Sequence, residues 1–373
     1  METLTSGFEL EVRGGDIPID YNLVDYDSLV NEIASVLSKC RLAAHRARLK
    51  AVSTLLPGLL LLGEASLSGM GRGAALLDEE KTFRGQLQRA FGFLNNPQFD
   101  PWEVGNALFG RLTQGLQQGL IGVDWTQVGD FMILEARLVV AGRGIPFFSL
   151  AVPKSEIKGR QRALELSMEY ALAALRRPGQ ILYTLVDRGF AGLDYLGPSE
   201  LYPWMRRVRR LKATIILHWD RVSAPLQEWP LYEGEVVEIP QSLLGRKEQV
   251  LCGAVLAHVG ARCYLACHPD DVGDVLDFYQ KRVWIEEQNR DVKTGFKGRV
   301  MRFLRAIRFE RMWSLLGLAL SIAYSTAQRE LHQQERLSRR YKDGRKDLSW
   351  LSLSRYIQQL MPCEATLVPL TSQ

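Results

Sequence analysis

Three acidic residues lie in or beside segments where a carboxylate would need a cation or a hydrogen-bond donor nearby. Asp124 lies inside the apolar run LIGVDWT, Asp187 ends the apolar run ILYTLVD, and Glu286 lies in the helical segment YQKRVWIEEQNRDVK. Burying a lone carboxylate is costly, and three converging carboxylates repel one another unless a cation lies between them. Hard oxygen ligands favour Mg²⁺ or Mn²⁺, and two such ions about 3.5–4 Å apart are the usual device for in-line displacement at a phosphodiester. Each acid taken alone is equally well explained as a strand-end cap or a surface charge, so the hypothesis depends on all three meeting.

The helical segment places four chemically different polar side chains on one face. If it rotates by about 100° per residue, all four fall within an arc of about 60° over four turns. The four residues are Tyr279, Arg282, Glu286 and Lys293. Such a face is either a solvated helix surface or one wall of a site that handles phosphates and metal ions.

The chain before the first strand has a helical pattern. From Tyr26 to about Gly119, apolar residues recur at spacings of three and four, which predicts an all-helical N-terminal region. Pro57 and the glycine-rich run SGMGRGAA (68–75) interrupt that pattern, and we expect the run to be a flexible turn. The segment KTFRGQLQRAFGFLNN (81–96) predicts a further helix that ends at its asparagines.

From Leu120 the pattern changes to strands and helices in the order β-β-β-α-β-α-β. This order predicts an α/β fold with a mixed sheet, in which the first strand is central and its neighbour carries Asp187. The helix after the last strand would pack across both and bring Glu286 to the same point. Glu135 is expected on the outer face of the second strand. The predicted strands are LIGVDWTQ, FMILEARLVV, IPFFSLAVP, ILYTLVD and KATIILHW (212–219), with a helix over 160–177 and a short helix after Pro198.

Three regions follow from these patterns. Residues 1–115 form the helical N-terminal region, which we expect to bind DNA, and residues 116–298 hold the mixed sheet and the three acids. Position 286 lies 99 positions after position 187, farther than one helix and one strand require. This spacing leaves room for an inserted β-rich segment at about 220–270, and a helical C-terminal region is expected over 299–373.

Charge favours a polyanionic partner. The 373-residue chain has a formal net charge of +5, and its basic residues cluster at 206–212, 299–311 and 336–346. Each cluster taken singly is more often a solvated face than a binding patch. The three together favour a nucleic acid.

Cysteine usage and hydropathy favour the cytoplasm. The five cysteines are scattered, which is typical of reduced thiols in a cytosol. The start METLTSGFELEV lacks the basic and apolar regions of a signal peptide. The apolar runs LLPGLLLL (55–62) and MWSLLGLALSIAY (312–324) are shorter than the roughly 20 residues of a membrane span, so we expect buried helices and no membrane.

The chain resembles bacterial insertion-sequence DDE transposases of the group marked by Tyr-x2-Arg-x3-Glu-x6-Lys. The four residues of the helical segment match that spacing without a gap. VDWT around Asp124, the D-x-G-F pattern that starts at Asp187, and GRGIPF (142–147) are also similar to segments of such enzymes. The resemblance covers about 120–324. It departs from many members at Val283, where they have tryptophan directly after the arginine; here Trp284 comes one residue later.

The resemblance implies an RNase H-like catalytic core with a mixed five-stranded sheet, the β-rich insertion, and all-helical N- and C-terminal regions. It implies metal-dependent DNA cleavage and strand transfer, in which the three acids bind two Mg²⁺ ions, with Mn²⁺ as a substitute. The partners it implies are terminal inverted repeats and target DNA, bound by a homodimer in the bacterial cytoplasm and nucleoid.

The resemblance also assigns DNA-binding residues. Tyr279, Arg282 and Lys293 would hold phosphates, Arg188 would contact DNA, and Trp219 of the insertion would stack on a flipped base. Trp229 is an alternative to Trp219 in this role, and a tryptophan at either position is more often a packing residue.

Two other functions share these features. One is a catalytically silent, transposase-derived DNA-binding regulator, which would bind DNA without cutting it. The other is an RNase H-like nuclease that cuts without joining, which the helical N-terminal region and the large insertion fit less well.

Overall fold

A computed structural model gives the fold. It describes residues 33–35, 37–38, 45–77, 81–140, 143–187, 190, 205–211, 216–219, 222–225, 228, 232, 236–244, 249–259, 262–266, 279–297, 301, 303 and 305–333.

Between residues 45 and 112, the described chain forms four helices: α1 (Arg46–Leu62), α2 (Leu67–Leu77), α3 (Phe83–Asn95) and α4 (Pro101–Leu112). Their ends follow ordinary capping chemistry. The Thr82 hydroxyl accepts the Gly85 amide at the start of α3, and the Asp100 carboxylate accepts the Trp102 amide at the start of α4. The predicted helix over 81–96 is therefore confirmed.

The glycine-rich run predicted as a flexible turn is helical instead. It forms most of α2, and Pro57, which was expected to interrupt the pattern, lies inside α1. The reason is close packing of the two helices: a Cβ atom on Gly73 would lie 2.1 Å from the Gly58 carbonyl oxygen. The glycines serve as a contact surface here, and tertiary packing outweighs their low helix propensity.

Ten described strands form one mixed sheet, which they enter in the order β3-β2-β1-β4-β5-β10-β9-β8-β6-β7. The helix α5 (Gln161–Leu175) lies between β3 and β4 in the chain. The strands are β1 (Gln118–Val128), β2 (Phe131–Val140), β3 (Arg143–Pro153), β4 (Ile181–Val186), β5 (Met205–Leu211), β6 (Ile216–Trp219), β7 (Val222–Pro225), β8 (Val236–Leu244), β9 (Gln249–Val259) and β10 (Arg262–Ala266).

The prediction of an α/β fold with a mixed sheet is confirmed. β1 lies between β2, to which it is antiparallel, and β4, to which it is parallel. Asp187 directly follows β4, so the first strand does neighbour the strand that carries it. The assignment to an RNase H-like core stays a prediction.

The strand that follows β4 in the chain is not the predicted one. β5 is the arginine-rich segment MRRVRRL and runs parallel to β4, whereas the described residues of the apolar run KATIILHW form the short β6. Strand propensity favoured the β-branched run, but the position beside β4 is decided by register with its neighbour. β10 then pairs with β5, so the strands over 220–270 continue the same sheet.

The described part of the C-terminal half contains two helices: α6 (Val283–Arg290), which continues into a π-helical turn over Asp291–Gly295, and α7 (Ala306–Gln333). Alternate residues of a strand point to opposite faces of its sheet. Position 122 of β1 faces Ile285 of α6, whereas Trp125 donates its indole N–H to Glu165 of α5 at 3.0 Å. α5 and α6 therefore cover opposite faces at β1.

A single apolar cluster joins the helical regions to the sheet. Phe109 of α4 packs on Phe147 of β3 with ring centroids 4.8 Å apart, and Phe131 of β2 packs on Phe309 of α7 at 4.5 Å. The basic cluster at 299–311 contributes to this packing. The buried Arg311 guanidinium donates to the carbonyl oxygens of residues 94 and 99, which ties α7 to the end of α3.

Both long apolar runs are buried in helices, as predicted. Within the described residues, no single helix has the length and apolar character to cross a bilayer, and only the bent pair α1–α2 meets both criteria when its two helices are joined.

The α1–α2 contact generates a stability prediction. Gly73→Ala should lower the free energy of unfolding by about 1–3 kcal/mol, because the new methyl group meets backbone rather than a side chain that can move. The matched control is Gly92→Ala on α3, where a Cβ atom meets nothing within 4 Å. That change should raise stability by up to about 1 kcal/mol through helix propensity. Urea denaturation of both variants measures the difference, and equal midpoints would contradict the close packing.

Candidate active site

The three acids predicted from the sequence converge on one guanidinium group. Arg282 Nη2 lies 3.8 Å from Asp124 Oδ2 and 3.7 Å from Asp187 Oδ2. Its Nη1 donates a hydrogen bond of 2.8 Å to Glu286 Oε1. We call Asp124, Asp187 and Glu286 the carboxylate triad. Its members come from the middle of β1, the end of β4 and the first turn of α6, so the fold brings together residues far apart in the chain.

The carboxylates differ in exposure across the site. The side chain of Asp124 is 17% exposed, that of Asp187 36% and that of Glu286 60%. Burial raises the pKa of Asp124, and the charges of Arg137 and Arg282 partly offset that rise. Burial lowers the pKa of Arg282, but Tyr279 and the three carboxylates outweigh it, so the guanidinium stays charged.

The carboxylate triad supplies the donor set that Mg²⁺ prefers. Both aspartate oxygens lie within 4 Å of the same nitrogen, so they are no farther apart than the sum of the two distances. Two ions about 3.5–4 Å apart, each with ligand oxygens about 2.0–2.1 Å away, could span such a gap. In the present arrangement, no group of three His, Cys, Asp or Glu side chains among the described residues is close enough to hold a metal ion. The carboxylate oxygens are of the type that suits a divalent ion, but in this arrangement they contact Arg282 instead.

A small open cleft of about 210 Å³ adjoins the two aspartates. Its walls are mostly apolar, with one amide from α5. Besides Asp124 and Asp187, the lining residues are Trp125, Met132, Ile157, Gln161 and Phe190. A substrate group that reaches the aspartates from this side would meet both apolar and hydrogen-bonding surface.

A glycine on β1 allows α6 to approach the sheet. A Cβ atom on Gly122 would lie 1.9 Å from Ile285 Cδ1, and Ile285 is fully buried. Gly122 and Asp124 share a strand face because they are two residues apart. The close approach at position 122 therefore helps to determine the distance between Glu286 and Asp124.

The guanidinium of a buried ion pair on β2 also bonds to α6 beneath the site. The Arg137 guanidinium donates to Glu135 Oε2 at 2.6 Å and to Asn289 Oδ1 at 2.8 Å. Glu135 and Arg137 are fully buried, and Glu135 lies opposite Asp124 in the β1–β2 ladder. Arg137 also lies at a register irregularity between β2 and β3, where bulges commonly re-aim side chains. The expectation that Glu135 faces outward was therefore wrong: its charge is tolerated inside because Arg137 neutralises it.

A second buried network holds the π-helical turn. Asp291 Oδ2 accepts from Arg143 Nε at 3.1 Å and from the Tyr324 hydroxyl at 2.8 Å. Burial raises the pKa of Asp291, and Arg143 and Tyr324 oppose that rise. β3 and α7 therefore hold the segment that follows Glu286.

The N-terminal helices contact the same segment. The Ala65 amide donates to the Phe296 carbonyl oxygen at 2.7 Å, and Lys297 Nζ donates to Glu64 Oε1 at 2.8 Å. Arg72 also pairs with Glu64. The hydrogen bond from Lys297 lowers the pKa of Glu64. Lys297 has a φ of 50°, in the left-handed region that residues other than glycine seldom adopt.

The structure brings some predicted DNA-binding residues together and leaves others outside its described part. Tyr279 and Arg282 lie on the approach to α6, and both are half-buried. Lys293 lies in the π-helical turn, where the rotation per residue differs from the α-helical value assumed for the common face. Arg188, the side chain of Trp219 at the end of β6, and Trp229 lie outside the described residues.

Sequence reasoning missed the supporting residues Gly122, Arg137, Asn289 and Asp291. One signal was available: Glu135 and Arg137 are two residues apart on an apolar strand, which places opposite charges on one face. The roles of Asn289 and Asp291 depend on long-range contacts that no local pattern reveals.

The approach at position 122 can be tested by size alone. Gly122→Ala should lower the free energy of unfolding by about 1–3 kcal/mol, because the new methyl group meets Ile285 Cδ1 and Cγ1 at 1.9 and 2.7 Å. Ile285→Ala removes both atoms, so the double variant should lose less stability than the sum of the two single losses. Urea denaturation of the single and double variants measures the difference, and strictly additive losses would contradict the close approach.

The Arg137–Asn289 hydrogen bond generates a stability prediction. Asn289→Leu should cost about 1–3 kcal/mol, because a buried guanidinium N–H loses its acceptor. Asn289→Asp keeps an acceptor facing Arg137 and should cost less. Thermal unfolding of both variants measures the difference, and a larger loss for the aspartate would contradict this role of Asn289.

Comparison with known proteins adds no family assignment. No protein-family model matches the chain, and no curated protein sequence matches it.

Proposed function

We propose that the chain is a DDE transposase of a bacterial insertion sequence. It binds the terminal inverted repeats of the element and performs metal-dependent DNA cleavage and strand transfer. The observation that carries this proposal is the convergence of three carboxylates, from three separate elements, on the single guanidinium of Arg282. Two of the carboxylates belong to strands that pair in parallel, and the third lies on the helix that covers them.

The sheet supports an RNase H-like core. In the proposed core, β3, β2 and β1 pair antiparallel in succession, and β4 and β5 add in parallel on the other side of β1. These five strands are neighbours at one end of the sheet, and α5 and α6 lie on opposite faces of it. The strands β6–β10 would then be the insertion between the second aspartate and the glutamate.

The chemistry consists of two displacements at phosphorus. In the first, a water oxygen bonds to the phosphorus at the element end, the P–O3′ bond breaks, and the released 3′ oxygen takes up a proton. In the second, the freed 3′-OH loses its proton and bonds to a phosphorus of target DNA, and the displaced 3′ oxygen of the target takes up a proton. When bound, two Mg²⁺ ions would activate the nucleophile and stabilise the departing oxygen. Asp124, Asp187 and Glu286 would hold the ions, and Mn²⁺ would substitute.

The cations and hydroxyl beside the carboxylate triad suit a polyanionic substrate. Arg282 offers a planar fork of donors that matches a phosphate, and Tyr279 stands one turn before it. Lys293 would hold a phosphate farther along the strand. Double-stranded DNA is then the partner, paired ends imply a homodimer on DNA, and the protein acts in the bacterial cytoplasm at the nucleoid.

A conservative substitution in the carboxylate triad tests the proposal. On a plasmid that carries the DNA flanking the gene, wild-type protein should nick and join DNA with Mg²⁺ or Mn²⁺. Asp187→Asn should lower the rate more than about 100-fold, since even outer-shell partners of a metal are worth about 10–100-fold. The control is Asp130→Asn, which changes the exposed turn between β1 and β2 and should leave the rate unchanged.

The products separate the competing functions. Nicked DNA that is never joined to a target would indicate a nuclease. DNA binding with no nicking in either metal would indicate a silent regulator.

A further inference from the structure

We propose that Arg282 is an internal counter-cation that closes the metal site until DNA arrives. In this view, its guanidinium and the divalent ions compete for the same carboxylate oxygens, and a DNA phosphate opens the site by drawing the guanidinium away. The inference rests on the proposed function and adds to it an order of binding.

The Arg282 guanidinium and a divalent ion cannot occupy the carboxylate triad at the same time. One guanidinium touches all three members of the carboxylate triad, with nitrogen–oxygen distances of 2.8–3.8 Å. A divalent ion needs some of the same oxygens at about 2.0–2.1 Å. The guanidinium would then stand within a few ångströms of a doubly charged ion, in a site where Asp124 is only 17% exposed and solvent screens poorly.

The electrostatics explain why Arg282 stays in place without DNA. Three carboxylates at such short range repel one another, and a single positive charge among them relieves part of that repulsion. The contact to Glu286 is an i, i+4 pair on the helix, which requires no rearrangement of the backbone.

A phosphate is the natural partner to withdraw the guanidinium. Arginine binds phosphate through two parallel N–H donors, whereas here it spreads single contacts over three acids. The side chain is 15% exposed, so one edge reaches solvent and an incoming strand. Because coupling between two ligands is reciprocal, DNA should strengthen metal binding, and metal should strengthen DNA binding.

The first test measures metal binding by the full chain without DNA, with Mn²⁺ as the probe and electron paramagnetic resonance of the free ion as the readout. Arg282→Gln should bind Mn²⁺ about tenfold or more tightly than wild type, within the usual range of coupling between sites. The matched control is Arg290→Gln, which removes an equal charge from the exposed C-terminal end of α6. Its affinity should stay within about threefold of wild type, as expected for a screened surface charge.

A second variant keeps this inference separable from the proposed function. Asp187→Asn in the Arg282→Gln background should abolish the tight Mn²⁺ site. If Arg282→Gln binds no more tightly than Arg290→Gln, but wild-type binding still depends on Asp187, the counter-cation role is overturned and the metal centre survives. If Mn²⁺ binding is absent, or is insensitive to Asp187 in every background, the proposed metal-dependent function itself fails.

The reciprocal measurement uses duplex DNA. Its affinity for wild type should rise on adding Mg²⁺ at constant ionic strength, and the rise should be smaller for Arg282→Gln. Because Mg²⁺ acts on the DNA equally in both experiments, subtracting one rise in affinity from the other removes that direct effect. An equal rise in both would overturn the proposed order of binding.

Discussion

Mutual repulsion among three carboxylates is the constraint around which the rest of the molecule is organised. β1, β4 and α6 each deliver one acid to a common point, and the arrangement is tolerable because a guanidinium lies between them. Arginine suits this position, since it stays charged at any physiological pH and can donate to several acceptors at once. The same property makes it a cation that a phosphate can recruit.

The helix that carries Glu286 is held mainly by contacts on the side that packs against the sheet. Its close approach to the sheet depends on a glycine at position 122. Asn289 at its end and Asp291 in the following π-helical turn are bonded to Arg137 on β2 and Arg143 on β3. Buried charged pairs contribute little net stability compared with apolar packing, but breaking one is costly. Their value here is geometric, because they hold an exposed carboxylate at a fixed distance from two others.

Local sequence patterns revealed the acids but not what supports them. Asp124 and Asp187 were recognisable because a charge interrupts or ends an apolar strand, and Glu286 because its helical neighbours form a spaced signature. The helical role of the glycines in α2 depends on the contact between Gly73 and Gly58, which propensity cannot anticipate. The choice of an arginine-rich segment as β5 likewise depends on its register with β4. Lys293 was placed by assuming an ideal α-helix, and the π-helical turn changes its position.

The contact between the N-terminal helices and the segment that follows α6 has a mechanical consequence. The loop between α1 and α2 is bonded to residues 296 and 297, directly after the segment that Asp291 anchors. A rotation of the first helices must therefore move this end of the polypeptide or break those bonds, one of which involves a residue in left-handed backbone geometry. In the proposed transposase, a DNA end bound by those helices would therefore be mechanically coupled to the segment that follows Glu286, through the contacts at residues 296 and 297.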